Sequence, residues 1–341
     1  MSTPLSDHQY VLRRTGEVKT ETLFGDRLVN AVYNGWTPGL LYRALTSARM
    51  SAFLALLAFD RPLASPGFDP KRFIGKLGID LSECRRPETL TTPRKIFERR
   101  IQYEKRRPMN PAPEVVVSPA DARMLAGSFS EASGLFIKGR FFRFTDLVSR
   151  EKDRWQRAFE DADWAVFRLT PDKYHYNHAP VSGRVLDIYT LPGGYAPCNP
   201  GAVMAADAPY SKNRRVATVI DTDVPDGTQA GLVAMIEIVA LMIGDIVQCY
   251  SDEGYDAPRA VRKGMFLRKG QPKSLYRPGS STDVLLFQKG RVRFDADIVS
   301  NLRRRDVLSR FCDDRGAPMI ETQVAVRESI GRRMDGVDKV D

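Results

Sequence analysis

The chain has 341 residues, 43% hydrophobic and 28% charged, enough for one large domain or two modest ones with a sizeable core. Its formal charge is +10, and residues 1–114 hold 19 Lys/Arg against 12 Asp/Glu, a bias that suits an anionic partner such as nucleic acid or an acidic lipid surface. The four cysteines, Cys84, Cys198, Cys249 and Cys312, form no Cys-x-x-Cys pair; they give neither a zinc ribbon nor a disulfide framework and fit a reducing compartment.

The N-terminus, MSTPLSDHQYVLRR, lacks the apolar core of a signal peptide, and residues 1–22 read as loose. Residues 23–60 read as helical. In LLYRALTSARMSAFLALLAF apolar residues recur every three or four positions, with Arg43 and Arg49 between them. Such a helix covers a core or lies at a membrane interface, and MSAFLALLAF is too short to span one. A basic helical piece follows in TPRKIFERRIQYEKRR. PMNPAPE, Pro108 to Glu114, is a linker, because three prolines in seven residues block helix and ladder alike.

From Val115 the texture changes to short apolar runs between Gly- and Pro-rich turns, with a helix expected within Ser149–Ala162. GLVAMIEIVALMIGDIVQC has the length of a membrane span but carries Glu237 and Asp245, and reads as two buried strands or one bent one. The expected fold is α+β. A helical, basic N-terminal region (1–107) and the linker (108–114) precede a mainly β core (115–300), an antiparallel or mixed sheet of barrel or sandwich type. A charged tail (301–341) closes the chain.

Chemistry-bearing residues are few. Of three histidines, His8 falls in the loose N-terminus. His175 and His178 share TPDKYHYNHAPVSG, where the prolines disfavour a helix; a loop or strand end would let both rings reach one cavity. No third ligand is apparent, so no metal site is expected. Asp121 in VVVSPADARM and Ser281 in YRPGSSTDVLLF each have an ordinary reading as turn residues.

Taken in order, SPAD, then DxYHxxH followed by APVSG, then a Gly-Ser-Ser-Thr turn into VLLF, resemble the phosphatidylserine decarboxylase family. FIKGRFFRFTDL, PVSGRV, LPGGYAPCNP and RKG add to the likeness, which spans roughly residues 20–297. It implies a proenzyme in which a triad of Asp121, His178 and Ser281 cuts the chain between Ser280 and Ser281. The products would be a β chain, 1–280, and an α chain, 281–341, whose new N-terminus is a pyruvoyl group. His178 would take the Ser281 proton while Asp121 fixes the imidazole, as in any Ser-His-Asp arrangement. The pyruvoyl ketone then forms a Schiff base with the substrate amine and serves as electron sink. His175 is implied in decarboxylation.

The family usually has Gly before the cut serine; here Ser280 stands there, which makes Gly279/Ser280 a second register. The implied substrate is phosphatidylserine, giving phosphatidylethanolamine and carbon dioxide, by a peripheral protein at an anionic membrane on the cytoplasmic face. The alternative is a soluble cytoplasmic decarboxylase of a free aromatic amino acid. A homo-oligomer is compatible with either. A third reading, an inert binding module on nucleic acid, has no motif behind it, and no nucleic-acid partner is expected.

Overall fold

The computed structural model describes residues 7–21, 68–129, 144–195, 209–240, 245–278, 281–313 and 316–334. The expected helical stretch 23–60, most of FIKGRFFRFTDL and half of LPGGYAPCNP lie outside these residues, as do Gly279 and Ser280.

Sixteen described strands run in chain order. They are β1 (Gln9–Leu12), β2 (Val18–Thr20), β3 (Val115–Val117), β4 (Ala122–Ser128), β5 (Asp163–Leu169), β6 (Tyr176–His178), β7 (Gly183–Leu191) and β8 (Arg215–Asp221). Then come β9 (Leu232–Val239), β10 (Ile246–Gln248), β11 (Phe266–Leu267), β12 (Pro272–Tyr276), β13 (Ser281–Phe287), β14 (Val292–Phe294), β15 (Glu321–Val324) and β16 (Ser329–Arg333). Ten of them make one sheet in the order β11-β7-β8-β9-β13-β5-β4-β15-β1-β2; β10-β12-β6 and β14-β16-β3 make two smaller ones. Every pairing is antiparallel except β1 with β15.

The large sheet is buried on both faces, which is why its central strands read as unbroken apolar runs. In β13, Leu285 and Phe287 join a core that also holds Val116, Ile246, Tyr276, Val292 and Ile330 from the small sheets. Val284 and Leu286 point the other way, into a core with Phe144, Leu147 and Trp155 from the helices at 144–148 and 153–158 and with Phe159 just after them. The run from Gly231 to Cys249 does supply two strands, β9 and β10, in different sheets. Before the sheet core come α1 (Pro70–Leu77), α2 (Pro93–Phe97) and α3 (Tyr103–Arg106). Asp69 caps α1 by accepting from the N–H groups of Lys71 and Arg72.

Two expectations differ from the fold. Residues 9–20 form strands, and the tail after 301 supplies β15 and β16. Their pairing explains both: β1 is four residues long and finds its register on β15, more than 300 residues away, so no local period announces either. The linker 108–114 has no regular structure but is docked, since Lys269 Nζ donates to the carbonyls of Ala112 and Val115.

Candidate functional site

Asp121 sits one residue before β4 and is 7% exposed. Arg107, just after α3, clamps it: Nε donates to Oδ1 at 3.0 Å and Nη2 to Oδ2 at 2.9 Å. The Val326 N–H adds a contact to Oδ1 at 2.8 Å. Burial alone would raise this carboxyl; the Arg107 charge and the hydrogen bonds outweigh it and hold the group below the ordinary carboxylate range. Arg107 also pairs with Glu83 at 2.8 Å.

His178 ends β6 and is fully buried. Its Nδ1 lies 2.8 Å from the Gly270 carbonyl and its Nε2 2.9 Å from the Tyr174 hydroxyl. A carbonyl only accepts, so Nδ1 carries the ring proton and Nε2 of the neutral ring accepts from Tyr174. Burial pushes the ring down to about 3, with the Gly270 carbonyl and Asp121 opposing. Beyond Tyr174 the row continues, to Tyr255 Oη at 2.7 Å and from there to the Ile101 carbonyl at 3.0 Å. With His178 neutral, these three contacts share two hydroxyl protons. A proton added at Nε2 would fill the row, each hydroxyl then pointing on toward Ile101.

His175 faces elsewhere. Side chains along an extended chain alternate, so a three-residue offset separates the two rings. Tyr174, Tyr176 and His178 share one side, where Tyr174 and Tyr176 stack and Tyr103 meets His178 edge-on at 4.7 Å. On the other side, Asn177 donates to Glu237 Oε1 and Ser274 Oγ, both at 3.2 Å. His175 belongs to this second side by the same alternation and stacks on Phe97 of α2, ring centroids 3.6 Å apart. The two imidazoles therefore do not share one cavity as the sequence suggested. Burial, and then the nearby Arg99 charge, push His175 down to about 3.

Ser281 is the first residue of β13, opposite Leu169 on one side and Val239 on the other. It is fully buried, and its Oγ has no hydrogen-bond partner. Ser281 shares its face with Asp283, and Asp283 is in register with Glu237 on β9. Glu237 accepts from Lys273 Nζ at 2.7 Å, from Gln248 Nε2 at 2.8 Å, and from Ser274. Ser281 therefore looks toward the layer that carries Asn177 and His175. No hydrogen bond joins any two of Asp121, His178 and Ser281.

Composition alone could not single out the Glu237–Lys273–Asp283 cluster, since each residue comes from a different strand. The sequence puts His8 in a loose N-terminus, yet it is buried, with Nε2 2.8 Å from Glu321. His8, Glu21 and Glu321 put ligand atoms within 4.8 Å of one another. Arg168 already pairs with both carboxylates, at 2.6 Å each, and Arg123 with Glu21, so the cluster is a neutralised ion-pair network. A cavity of about 430 Å³ opens beside Asp121, with Arg99, Arg107 and Tyr174 in its wall.

The phosphatidylserine decarboxylase family model matches residues 94–306, from α2 past β14. The chain belongs to the phosphatidylserine decarboxylase family. It is 28% identical to the phosphatidylserine decarboxylase proenzyme of Fusobacterium nucleatum, over 95% of this chain and 97% of that one. The proenzyme of Ruminiclostridium cellulolyticum is 26% identical, with the same coverage. The phosphatidylserine decarboxylase proenzyme 2 of Saccharomyces cerevisiae is 27% identical over 88% of this chain and 23% of its own length. The family is one of decarboxylases whose relatives are named proenzymes, and the match takes in Asp121, His175, His178 and Ser281. Among the described residues no helix is long and apolar enough to cross a membrane.

Proposed function

We propose that the chain cuts itself between Ser280 and Ser281 and then converts phosphatidylserine to phosphatidylethanolamine and carbon dioxide. It would do so as a peripheral protein on the anionic, cytoplasmic face of a membrane. The observation that carries the reading is the family match across residues 94–306, with Ser281 buried at the head of a central strand. The orphaned Ser281 Oγ fits a residue kept for chemistry, since a buried hydroxyl without a partner is costly.

For the cut, Ser281 must lose its proton. His178 is the base in this reading, and the tyrosine row supports it, because a proton on Nε2 has a continuous path of acceptors to Ile101. Both ring nitrogens are engaged and the ring lies on the side of β6 away from Ser281, so in this reading the cut requires His178 to leave Tyr174 and turn toward Ser281. Asp121 is ionised and sits within electrostatic range of His178, where its charge favours the imidazolium. The carbonyl group left at position 281, a pyruvoyl, would supply the electron sink for loss of carbon dioxide from an amine-bearing substrate. His175, on the side of the β6 chain that looks toward Ser281, would in this reading hold the departing carboxylate or deliver a proton.

Intact mass under denaturing conditions tests the cut. Two species are expected, the smaller starting at residue 281 and one ammonia lighter than its serine-terminated form. A single species of 38.3 kDa refutes self-processing. Co-sedimentation with phosphatidylserine vesicles tests the lipid. No binding, with carbon dioxide released from a free amino acid, would replace phosphatidylserine as the substrate.

A further inference from the structure

The cavity beside Asp121 has charged walls, and most of its cations are already matched. Arg107 is held by Glu83 and Asp121, Lys173 by Asp172 at 2.9 Å, and Arg13 by Asp295 and Asp297 at 2.8 and 2.6 Å. Arg14, at the exposed rim, lies 3.7 Å from Glu328. Arg99 differs. It is 7% exposed, lines the same cavity, and among the described residues has no carboxylate within ion-pair distance. Two main-chain carbonyls hold it: Nη1 donates to Ile96 at 3.2 Å and Nη2 to Asp172 at 2.7 Å. Asp121 and Asp172 act on it only at longer range, and burial outweighs them, pulling the guanidinium below its ordinary range.

A buried cation without a counterion is unfavourable, and a fold that needed only two carbonyls bridged could do it with a neutral donor. The two carbonyls take one N–H each from Nη1 and Nη2 and leave Nε–H and one N–H on each Nη of the planar donor fork for a guest. That fork matches carboxylates and phosphates, which can bind it through two parallel hydrogen bonds. The location is informative too. Arg99 follows α2, whose Phe97 stacks on His175, and its charge is among the causes that depress His175. The cavity has the volume of a small-molecule site, and its charged lining suits a headgroup rather than acyl chains.

We propose that Arg99 is the anion anchor of this cavity, taking a carboxylate or phosphodiester oxyanion of the substrate headgroup. The identity of the guest as substrate rests on the function proposed above; the anion site itself does not.

The test is calorimetric titration of the uncut Ser281→Ala chain with glycerophospho-L-serine, L-serine and inorganic phosphate. Neither cutting nor decarboxylation enters this measurement. A chain that never processes can still display the site, and a chain that processes normally can still lack it. Glycerophospho-L-serine is expected to bind, and Arg99→Gln to weaken it at least tenfold at an unchanged melting temperature. Arg99→Lys, which keeps the charge and loses the fork, should fall between. The same loss with L-serine alone assigns the contact to the carboxylate, and with inorganic phosphate alone to the phosphate. Absence of binding by all three probes, or equal affinity in Arg99→Gln, overturns the proposal. Should Arg99→Gln fail to fold, unchanged affinity in Arg99→Lys overturns the fork contact in its place.

Discussion

Lys273→Met is expected to be among the most damaging single changes in the core, and the surroundings of Lys273 set the size. Lys273 and Glu237 are both 0% exposed, 2.7 Å apart, on β12 and β9. Lys273 also donates to Gln248 Oε1 at 2.9 Å, and Glu237 accepts from Asn177, Ser274 and Gln248. Removing one member of a buried pair strands the other charge, at a cost of ~3–5 kcal/mol. The remaining donors around Glu237 place the cost toward the lower end of that range.

Adding Glu237→Gln removes the stranded charge, so the double variant should recover ~2 kcal/mol relative to the sum of the singles. The pH dependence has a definite sign. Burial opposes ionisation of Glu237, and Lys273 is the main reason its carboxyl stays below the ordinary range. Without Lys273, burial wins and the folded-state pKa rises above the unfolded value of about 4.3. The variant then loses stability as pH rises above about 4.3, so its deficit is largest at pH 7 and shrinks toward pH 4. Urea unfolding followed by tryptophan fluorescence, in the Ser281→Ala background so that one intact chain unfolds, reads both effects. A deficit under ~1 kcal/mol at pH 7, or one that grows on acidification, would refute the reasoning.

Asp283→Asn should raise the urea midpoint at pH 7. Burial, then Glu237 across the ladder, push the Asp283 carboxyl up, so the folded chain carries a proton there that the unfolded chain sheds above about pH 4; the gain should fade as pH falls to that value. Arg107→Gln leaves Asp121 with the Val326 N–H as its remaining described hydrogen bond and should cost about 3 kcal/mol, the low end for a buried pair. With the Asp121 carboxyl no longer held down, the acid limb of the self-cutting rate should also move to higher pH. An unmoved limb would separate Asp121 from the cut.

The sequence was most legible where one strand answered to both cores. STDVLLF and LVAMIEIV are largely apolar because both faces of β13 and β9 are covered, and the second reads as buried strand from the sequence alone. It was least legible where a residue's meaning depends on a partner far along the chain. His8 is fixed by Glu321, 313 residues on, and QYVL becomes a strand only beside ETQV. The histidine motif lay between these cases. Its two rings were visible, but which side each takes follows from strand alternation, and the loop reading gave no reason to part them. Glu237 stood out in the sequence only as an obstacle to a membrane span; the register that sets it against Asp283 gives it a different meaning.

The position of β13 has a consequence for the life of the protein. It lies between β9 and β5 with all seven residues buried, and β15, farther along the chain, lies between β4 and β1. A cut before Ser281 would leave these strands stitched into the other fragment at two separate places, so the halves stay together without a covalent bond between them. Neither fragment alone carries a complete sheet, and chain connectivity no longer brings them together if they part. The cut molecule would therefore persist because it opens slowly, and one complete unfolding would be its last. Folding must come first and happen once, with the intact chain as its own template.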